Sequence, residues 1–155
     1  MQEIVVNATL KHLKESGFNV AVSFPDKPFK DYVITVSPVM FRDVPLKGVL
    51  DVQKDLDRAL ISKAVSGAEV TLQIDIYARK SLIRDRLVDQ VRKALKNFPS
   101  PTPEQPVLFL RISDARSLDT PDFYRTVLSV DFQVYDVVSE DVPIVKEISS
   151  SVREV

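Results

Sequence analysis

Few residues in this sequence of 155 amino acids could carry out chemistry, and their spacing does not favour it. The chain has no cysteine, which excludes disulfides, thiolate metal sites and cysteine nucleophiles. Its one histidine, His12, is flanked by lysines on a predicted helix surface, with no nucleophile or orienting carboxylate nearby in the sequence. The three glycines, Gly17, Gly48 and Gly67, lie too far apart for a dinucleotide-binding or phosphate-binding loop. We therefore expect no enzymatic activity, no cofactor and no metal ion.

Two other patterns could bind a cation or a nucleic acid. Asp85 and Asp89 lie one helical turn apart, close enough to share a magnesium ion, but the arginines around them make intrahelical ion pairs a simpler interpretation. Phe123, Tyr124 and Arg125 interleave aromatic and basic character, yet an isolated triplet is not a stacking platform for bases. The net charge of −1 argues against nonspecific binding to nucleic acid. We expect no sequence-specific nucleic-acid partner.

The size and composition of the chain predict a single globular domain. Hydrophobic residues make up 45% of the sequence, too many for a disordered chain of such low net charge. No window approaches the ~20 apolar residues that span a bilayer, and no apolar run of signal-peptide length follows the first residues. We expect assembly in the cytoplasm and no membrane partner.

Apolar residues recur at helical spacing in two segments, 3–16 and 81–98. Gly17 stands where the first helix would need a left-handed C-terminal cap, and Ser81 is placed to cap the N-terminus of the second. A proline-rich connector, 99–106, ends the second helix. The sequence thus predicts two helices.

Alternating residues predict the strands of a sheet. The clearest strand covers 68–79, with Val70, Leu72, Ile74, Ile76 and Ala78 on its inward face. Shorter strands are predicted at 19–24 and 32–39, the second marked by Pro38 as an edge strand or a strand end. Two further strands are predicted after the connector. Leu108, Leu110 and Ile112 face inward in the first, and alternate residues from Leu128 to Val134 face inward in the second. The turn-rich link 118–123 joins the two strands as a hairpin.

Residues 43–66 are compatible with two structures. Leu56, Leu60 and Ala64 recur every four residues, which favours a short helix through 52–64. The alternative is a strand over 58–65 that turns at Ser66 and Gly67 as a two-residue hairpin into the next strand. The helix is the favoured interpretation.

The predicted fold is a single two-layer α+β domain over residues 1–140. It has a mainly antiparallel or mixed sheet of about four to five strands, packed by two helices. Val33, Tyr77, Phe109 and Val127 fall on the outward strand faces, so the second sheet face should also be covered, by residues 43–66 or by another subunit. Residues 141–155 should form an extended C-terminal arm that orders against a neighbour, through Val142, Ile144 and Ile148.

Charge is unevenly distributed. Residues 81–98 hold five basic and two acidic side chains, whereas residues 99–155 hold five and ten. A solvated helix face is the more frequent meaning of such a pattern. The alternative is a contact across subunits, for which the candidate side chains are Arg84, Arg92, Lys93, Asp131, Asp136 and Glu140.

The order of these elements resembles the tail terminator (tail completion, or tail-to-head joining) proteins of long-tailed bacteriophages. The resemblance covers residues 31–134. Its segments are Asp-Tyr-Val-Ile-Thr at 31–35, the strand 67–79 with its Val-Thr-Leu-Gln-Ile-Asp-Ile-Tyr run, the helix 86–95, and the hairpin formed by 107–119 and 124–134. The long 43–66 segment and the proline-rich connector depart from the family's usual layout.

The resemblance implies a structural virion protein. Six copies would form a ring on the completed tail tube, end its polymerisation and provide the surface to which the filled head docks. Its partners would be further copies of itself, the tail tube protein and head-completion or connector proteins, and the genome would pass through the ring. Phe123, Tyr124 and Arg125 join the charged residues and the arm as candidate interface residues. The alternatives are another phage neck or tube protein, or a non-viral ferredoxin-like regulatory or enzyme subunit.

Overall fold

The computed structural model describes residues 2–25, 28–44 and 48–144. Over these residues the chain forms two helices packed on a six-stranded mixed sheet, which confirms the α+β class. The sheet is larger than the four to five strands expected. Its strands are β1 (Val20–Ala21), β2 (Tyr32–Val44), β3 (Gly48–Lys54), β4 (Arg58–Ala78), β5 (Val107–Ser117) and β6 (Tyr124–Pro143).

The first helix, α1 (Gln2–Glu15), ends as the sequence predicts. Gly17 has a φ of +94°, a left-handed conformation that favours glycine. The Gly17 N–H donates to the Lys14 carbonyl at 3.0 Å, and the Phe18 N–H donates to the Leu13 carbonyl at 3.1 Å. Phe18 then packs against the core, so the cap also fixes the direction in which the chain leaves the helix.

The second helix, α2 (Ser81–Lys96), begins at the predicted residue and ends two residues before the predicted end. Its N-cap is Lys80, which has extended backbone angles and makes no capping hydrogen bond through its side chain. The prediction that Ser81 is the N-cap is therefore wrong. Ser81 lies inside the first turn, where the short polar side chain is tolerated but does not cap.

Three long antiparallel strands dominate the sheet, whose order is β1-β2-β4-β6-β5. β4 has 21 residues and pairs with β6 along its whole length. On its other side, β4 pairs first with β3 and then with β2, both antiparallel to it. β1 is only two residues long, shorter than predicted, and pairs in parallel with β2.

Within 43–66, the described residues 48–54 and 58–66 belong to strands, so the favoured helix through 52–64 is wrong. The hairpin at Ser66 and Gly67 is wrong as well, because β4 runs through both residues and pairs them with Asp136 and Tyr135. The chain turns instead between Lys54 and Arg58. Backbone pairing with strands on both sides outweighs the four-residue apolar spacing that suggested a helix.

β2 also differs from expectation. The strand continues past Pro38 to Val44, with a register shift between Pro38 and Met40. β1 pairs only with Ile34 and Thr35 of β2, so within the described residues Pro38 lies where β2 has no neighbouring strand on that side. This is the edge position that the sequence predicts for the proline. The predicted strand end at this proline is wrong, since the bulge lets the ladder resume.

Both helices cover one face of the sheet, here called the helix-side face. Its side chains from β4 are Val70, Leu72, Ile74 and Ile76, all fully buried, as the alternation predicts. Leu128 to Val134 of β6 alternate in register with them, and α1 and α2 contribute Leu13 and Leu95. This layer is the hydrophobic core.

Of the three β5 residues predicted to face inward, Ile112 is confirmed and Leu108 and Leu110 are wrong. Val107, Phe109 and Ile112 pack on the core, whereas Leu108 and Leu110 do not belong to it. Leu110 is an extra residue in a bulge: Phe109 lies opposite Phe132 and Arg111 opposite Asp131. A single inserted residue reverses the facing of every residue after it. Phe109 therefore lies on the helix-side face rather than on the outward one.

Candidate assembly surface

The basic residues predicted on α2 are not equivalent. The Arg84 side chain is only 11% exposed, because its guanidinium pairs with Asp85 at 2.9 Å and with Asp119, and lies 5.7 Å from the ring centre of Tyr124. Its charge is therefore used within the subunit. Arg92 and Lys93 form no ion pair in the described part of the chain, and Lys93 is exposed. The exposed cations of the helix are Arg86, Lys93 and Lys96, and Arg92 is half-buried.

The predicted acidic partners fall on different surfaces. Asp131 is 6% exposed on the face opposite the helices, where it accepts a hydrogen bond from Thr71 at 2.8 Å and pairs with Arg111 at 2.9 Å. A carboxylate held in this way is not available to a second subunit. Asp136 and Glu140 are exposed near the far end of β6, so the structure does not gather the predicted acidic residues into one patch.

Phe123 belongs to an aromatic cluster on the face opposite the helices. Its ring centre lies 5.6 Å from that of Phe24, 6.1 Å from Phe29 and 5.4 Å from Tyr77. Phe24 and Phe29 come from the segment between β1 and β2, and Val33, opposite Tyr77 in the β2–β4 register, is 2% exposed. One end of the second face is therefore covered, by Phe24 and Phe29 rather than by those residues of 43–66 that the structure describes.

Arg125 ties this cluster to a buried carboxylate. Its guanidinium donates to Asp75 at 2.9 Å and 3.1 Å and lies 5.2 Å from the Tyr77 ring centre. Burial, and then the nearby Asp75 carboxylate, raise the pKa of Tyr77 above its ordinary value, while the Arg125 charge acts in the opposite direction. Arg125 is thus a structural residue of the subunit.

A groove of about 470 Å³ follows the same face beyond the aromatic cluster. Its charged lining is internally compensated: Glu69 pairs with Arg42 at 2.8 Å and with Arg111 at 2.9 Å. Arg111 also holds Asp131. The described residues contain no group of three side chains able to hold a metal ion. Asp114, which also lines the groove, pairs with Arg116 at 3.0 Å, so every charged side chain of the lining is held in an ion pair.

The surface that sequence reasoning missed is here called the sheet extension. It consists of β3, residues 58–66 of β4 and residues 135–143 of β6, which continue the sheet past the helices. On its helix-side face, Val49 and Val138 flank Lys63 in one row, and Ile61 lies between Val52 and Glu140 in the next. Val49, Val52 and Val138 are 59%, 45% and 50% exposed. An apolar sheet face is left uncovered here.

The sheet extension also contains the start of the predicted C-terminal arm. Asp141, Val142 and Pro143 continue β6 and pair with β4, and the Ile144 N–H donates to the Asp57 carbonyl at 2.8 Å. The proposed domain boundary at residue 140 therefore falls inside a strand. Ile148 lies outside the described residues. Sequence reasoning missed this surface because residues 43–66 were interpreted as a helix. In the structure, Val52 and Ile61 lie opposite each other on two paired strands.

No helix among the described residues is long and apolar enough to cross a membrane. No family model matches the chain, and no curated protein matches it. What the protein does must therefore be argued from its own surfaces.

Proposed function

We propose that this protein is a structural virion protein that forms a six-membered ring on a completed phage tail tube. The ring ends polymerisation of the tube and presents the surface to which the filled head docks. The observation that carries the proposal is the sheet extension, in which Val49, Val52 and Val138 lie exposed on a face that neither helix covers. Apolar surface of this kind marks a site of protein association.

The fold supports the proposal in a second way. The elements between residues 31 and 134 follow the order that resembles the tail terminators: a strand, a helix and a hairpin, here β4, α2 and β5–β6. The order alone is shared with other small α+β proteins. Joined to an exposed apolar extension of the sheet, it favours an assembly protein over a non-viral ferredoxin-like regulatory or enzyme subunit.

The mechanism is steric and needs no chemistry. A contact between two different surfaces of neighbouring copies closes into a ring when the rotation per subunit divides the circle. Once the ring has formed on the last layer of tube subunits, its upper face differs from the face that a tube subunit offers. A further tube subunit then finds no matching surface, and head-completion proteins bind there instead.

The decisive experiment removes this protein from the phage or tail-assembly system in which it occurs and examines the particles by electron microscopy. We expect overlong tubes or tails without heads, restored by the wild-type protein. Val138→Asp should fail to restore them, because it places a charge on the exposed apolar face. Thr102→Asp, at an exposed position outside the sheet extension, is the matched control and should restore them.

Tails of normal length, joined to heads with normal efficiency in the absence of the protein, would refute the proposal. Long filaments formed by the purified protein alone would instead support a tube protein, which polymerises without a terminator.

A further inference from the structure

The sheet extension has two open strand edges that differ from each other. β3, seven residues long, pairs only with β4 within the described residues. On the opposite side, β5 pairs with β6 only as far as Val134, and the Tyr135 N–H donates to the Pro106 carbonyl at 2.9 Å. Residues 136–143 therefore have no described strand beside them on that side. An open edge is a template for another strand.

The two edges match in the character of their side chains. On the helix-side face, Val49 and Val52 line the β3 edge, and Val138 and Val142 line the β6 edge. Pairing the two edges with Val52 beside Val138 would make a cross-strand apolar pair that removes the exposed surface of both side chains from water.

The charges also favour contact between unlike edges. Lys54 ends β3 on the helix-side face, is exposed, and forms no ion pair in the described part of the chain. Asp136 and Glu140 lie on the same face along the β6 edge. A symmetric contact between two β6 edges would bring these carboxylates together, which is unfavourable. A contact between β6 and β3 in the register that sets Val52 beside Val138 brings Lys54 beside Glu140 instead.

From these observations we infer that the β6 edge, residues 136–143, pairs with β3 of a second copy of this chain. The inference rests on the proposed ring and specifies its contact. β3 and β6 are both antiparallel to β4, so they run in the same direction. In a ring whose axis is parallel to the strands, the strands of every copy run in the same direction. β6 of one copy and β3 of its neighbour therefore pair in parallel. The sheet extension then continues from copy to copy around the ring.

The absence of cysteine allows a direct test by cross-linking. Gln53 lies opposite Leu60 and Ser139 lies opposite Ser62, so both point to the face away from the helices. The double variant Gln53→Cys/Ser139→Cys is treated with a short bifunctional thiol reagent, which tolerates a register offset of two residues. The protein is tested both concentrated alone and bound to tail tubes.

We expect the double variant to give a ladder of covalent species that ends at the closed ring. An equal mixture of the two single variants should give dimers and nothing larger, since each copy then carries only one half of the contact. Thr102→Cys is the matched control and should remain monomeric.

The outcomes separate this inference from the proposed function. Rings seen by native mass spectrometry that do not cross-link would overturn the edge pairing and leave the ring proposal standing. Dimers formed by Gln53→Cys alone would overturn it in favour of a symmetric β3–β3 contact. Protein that stays monomeric at every concentration and on tubes would overturn both proposals.

Discussion

Two valines of β6 allow a direct comparison between the hydrophobic core and the sheet extension. Val130 and Val138 have the same side chain and lie on the same face of the same strand, opposite Leu72 and Lys63. Val130 is fully buried, whereas Val138 is 50% exposed. Replacing each by alanine removes the same atoms, so any difference in the free energy of unfolding reports the environment alone.

The expected magnitudes follow from burial. Truncating a buried valine loses two carbons, at ~0.8 kcal/mol each, and a residual cavity of roughly 40 Å³ adds about 1 kcal/mol. Val130→Ala should therefore lower the free energy of unfolding by about 2.5 kcal/mol. Val138→Ala loses about half of the transfer energy and leaves no cavity, because water fills the space, so it should cost less than about 0.8 kcal/mol.

The assay is unfolding followed by circular dichroism, in urea for the free energy and on heating for the melting temperature, at concentrations where mass measurement shows a monomer. We expect the melting temperature to fall by about 5–10 °C for Val130→Ala and by no more than about 3 °C for Val138→Ala. Assembly on tail tubes should respond in the opposite way. For each kcal/mol of monomer stability lost, Val138→Ala should reduce assembly more than Val130→Ala does. Equal losses of monomer stability would refute the reasoning, since they would mean that Val138 is covered within the subunit.

Two further changes test the subunit itself. The pKa of Tyr77 is raised in the folded protein, so above the ordinary pKa of about 10 the folded protein keeps a proton that the unfolded chain has lost. The contribution of this proton to the free energy of unfolding is therefore fully present below that pH and is lost as the pH rises beyond it. The urea midpoint of the wild type should therefore fall more steeply there than that of Tyr77→Phe, and parallel curves would contradict the assignment. Gly17→Ala should cost about 1–2 kcal/mol because of the positive φ of Gly17, whereas Gly48→Ala, with no neighbour within 4 Å of the added carbon, should cost little; similar losses would argue against the helix cap.

The sequence was informative where one period persists without interruption. The alternation of Val70 to Ala78 predicts the central strand correctly, and the stripe of α2 predicts the helix that covers it. Gly17 predicts its cap because few other residues adopt that conformation. In each case local preference and tertiary packing agree, so a local signal is sufficient.

The failures occur where one residue changes the period. Leu110 in β5 and Val65 in β4 are each an extra residue in a bulge, and each reverses the alternation beyond it. A sequence does not distinguish a bulge from a continued strand, because the bulge depends on the partner strand. For the same reason the sheet extension was missed: β3 and residues 58–66 of β4 are stabilised mainly by their pairing with each other and with β6.

The ion pairs of the sheet extension bear on how an exposed apolar sheet stays soluble before it assembles. Arg58 pairs with Asp141 at 3.0 Å and Lys63 with Glu140 at 3.2 Å, across β4 and β6. All four side chains are 45–59% exposed, so each pair contributes only ~0–1 kcal/mol and cannot be what holds the strands together. The Lys63–Glu140 pair places charge among the exposed valines of the helix-side face, and the Arg58–Asp141 pair places charge on the opposite face. Charge on such a sheet opposes indiscriminate stacking. A contact that matches both the valines and the charges then remains favourable, which is what a ring built from unlike edges provides.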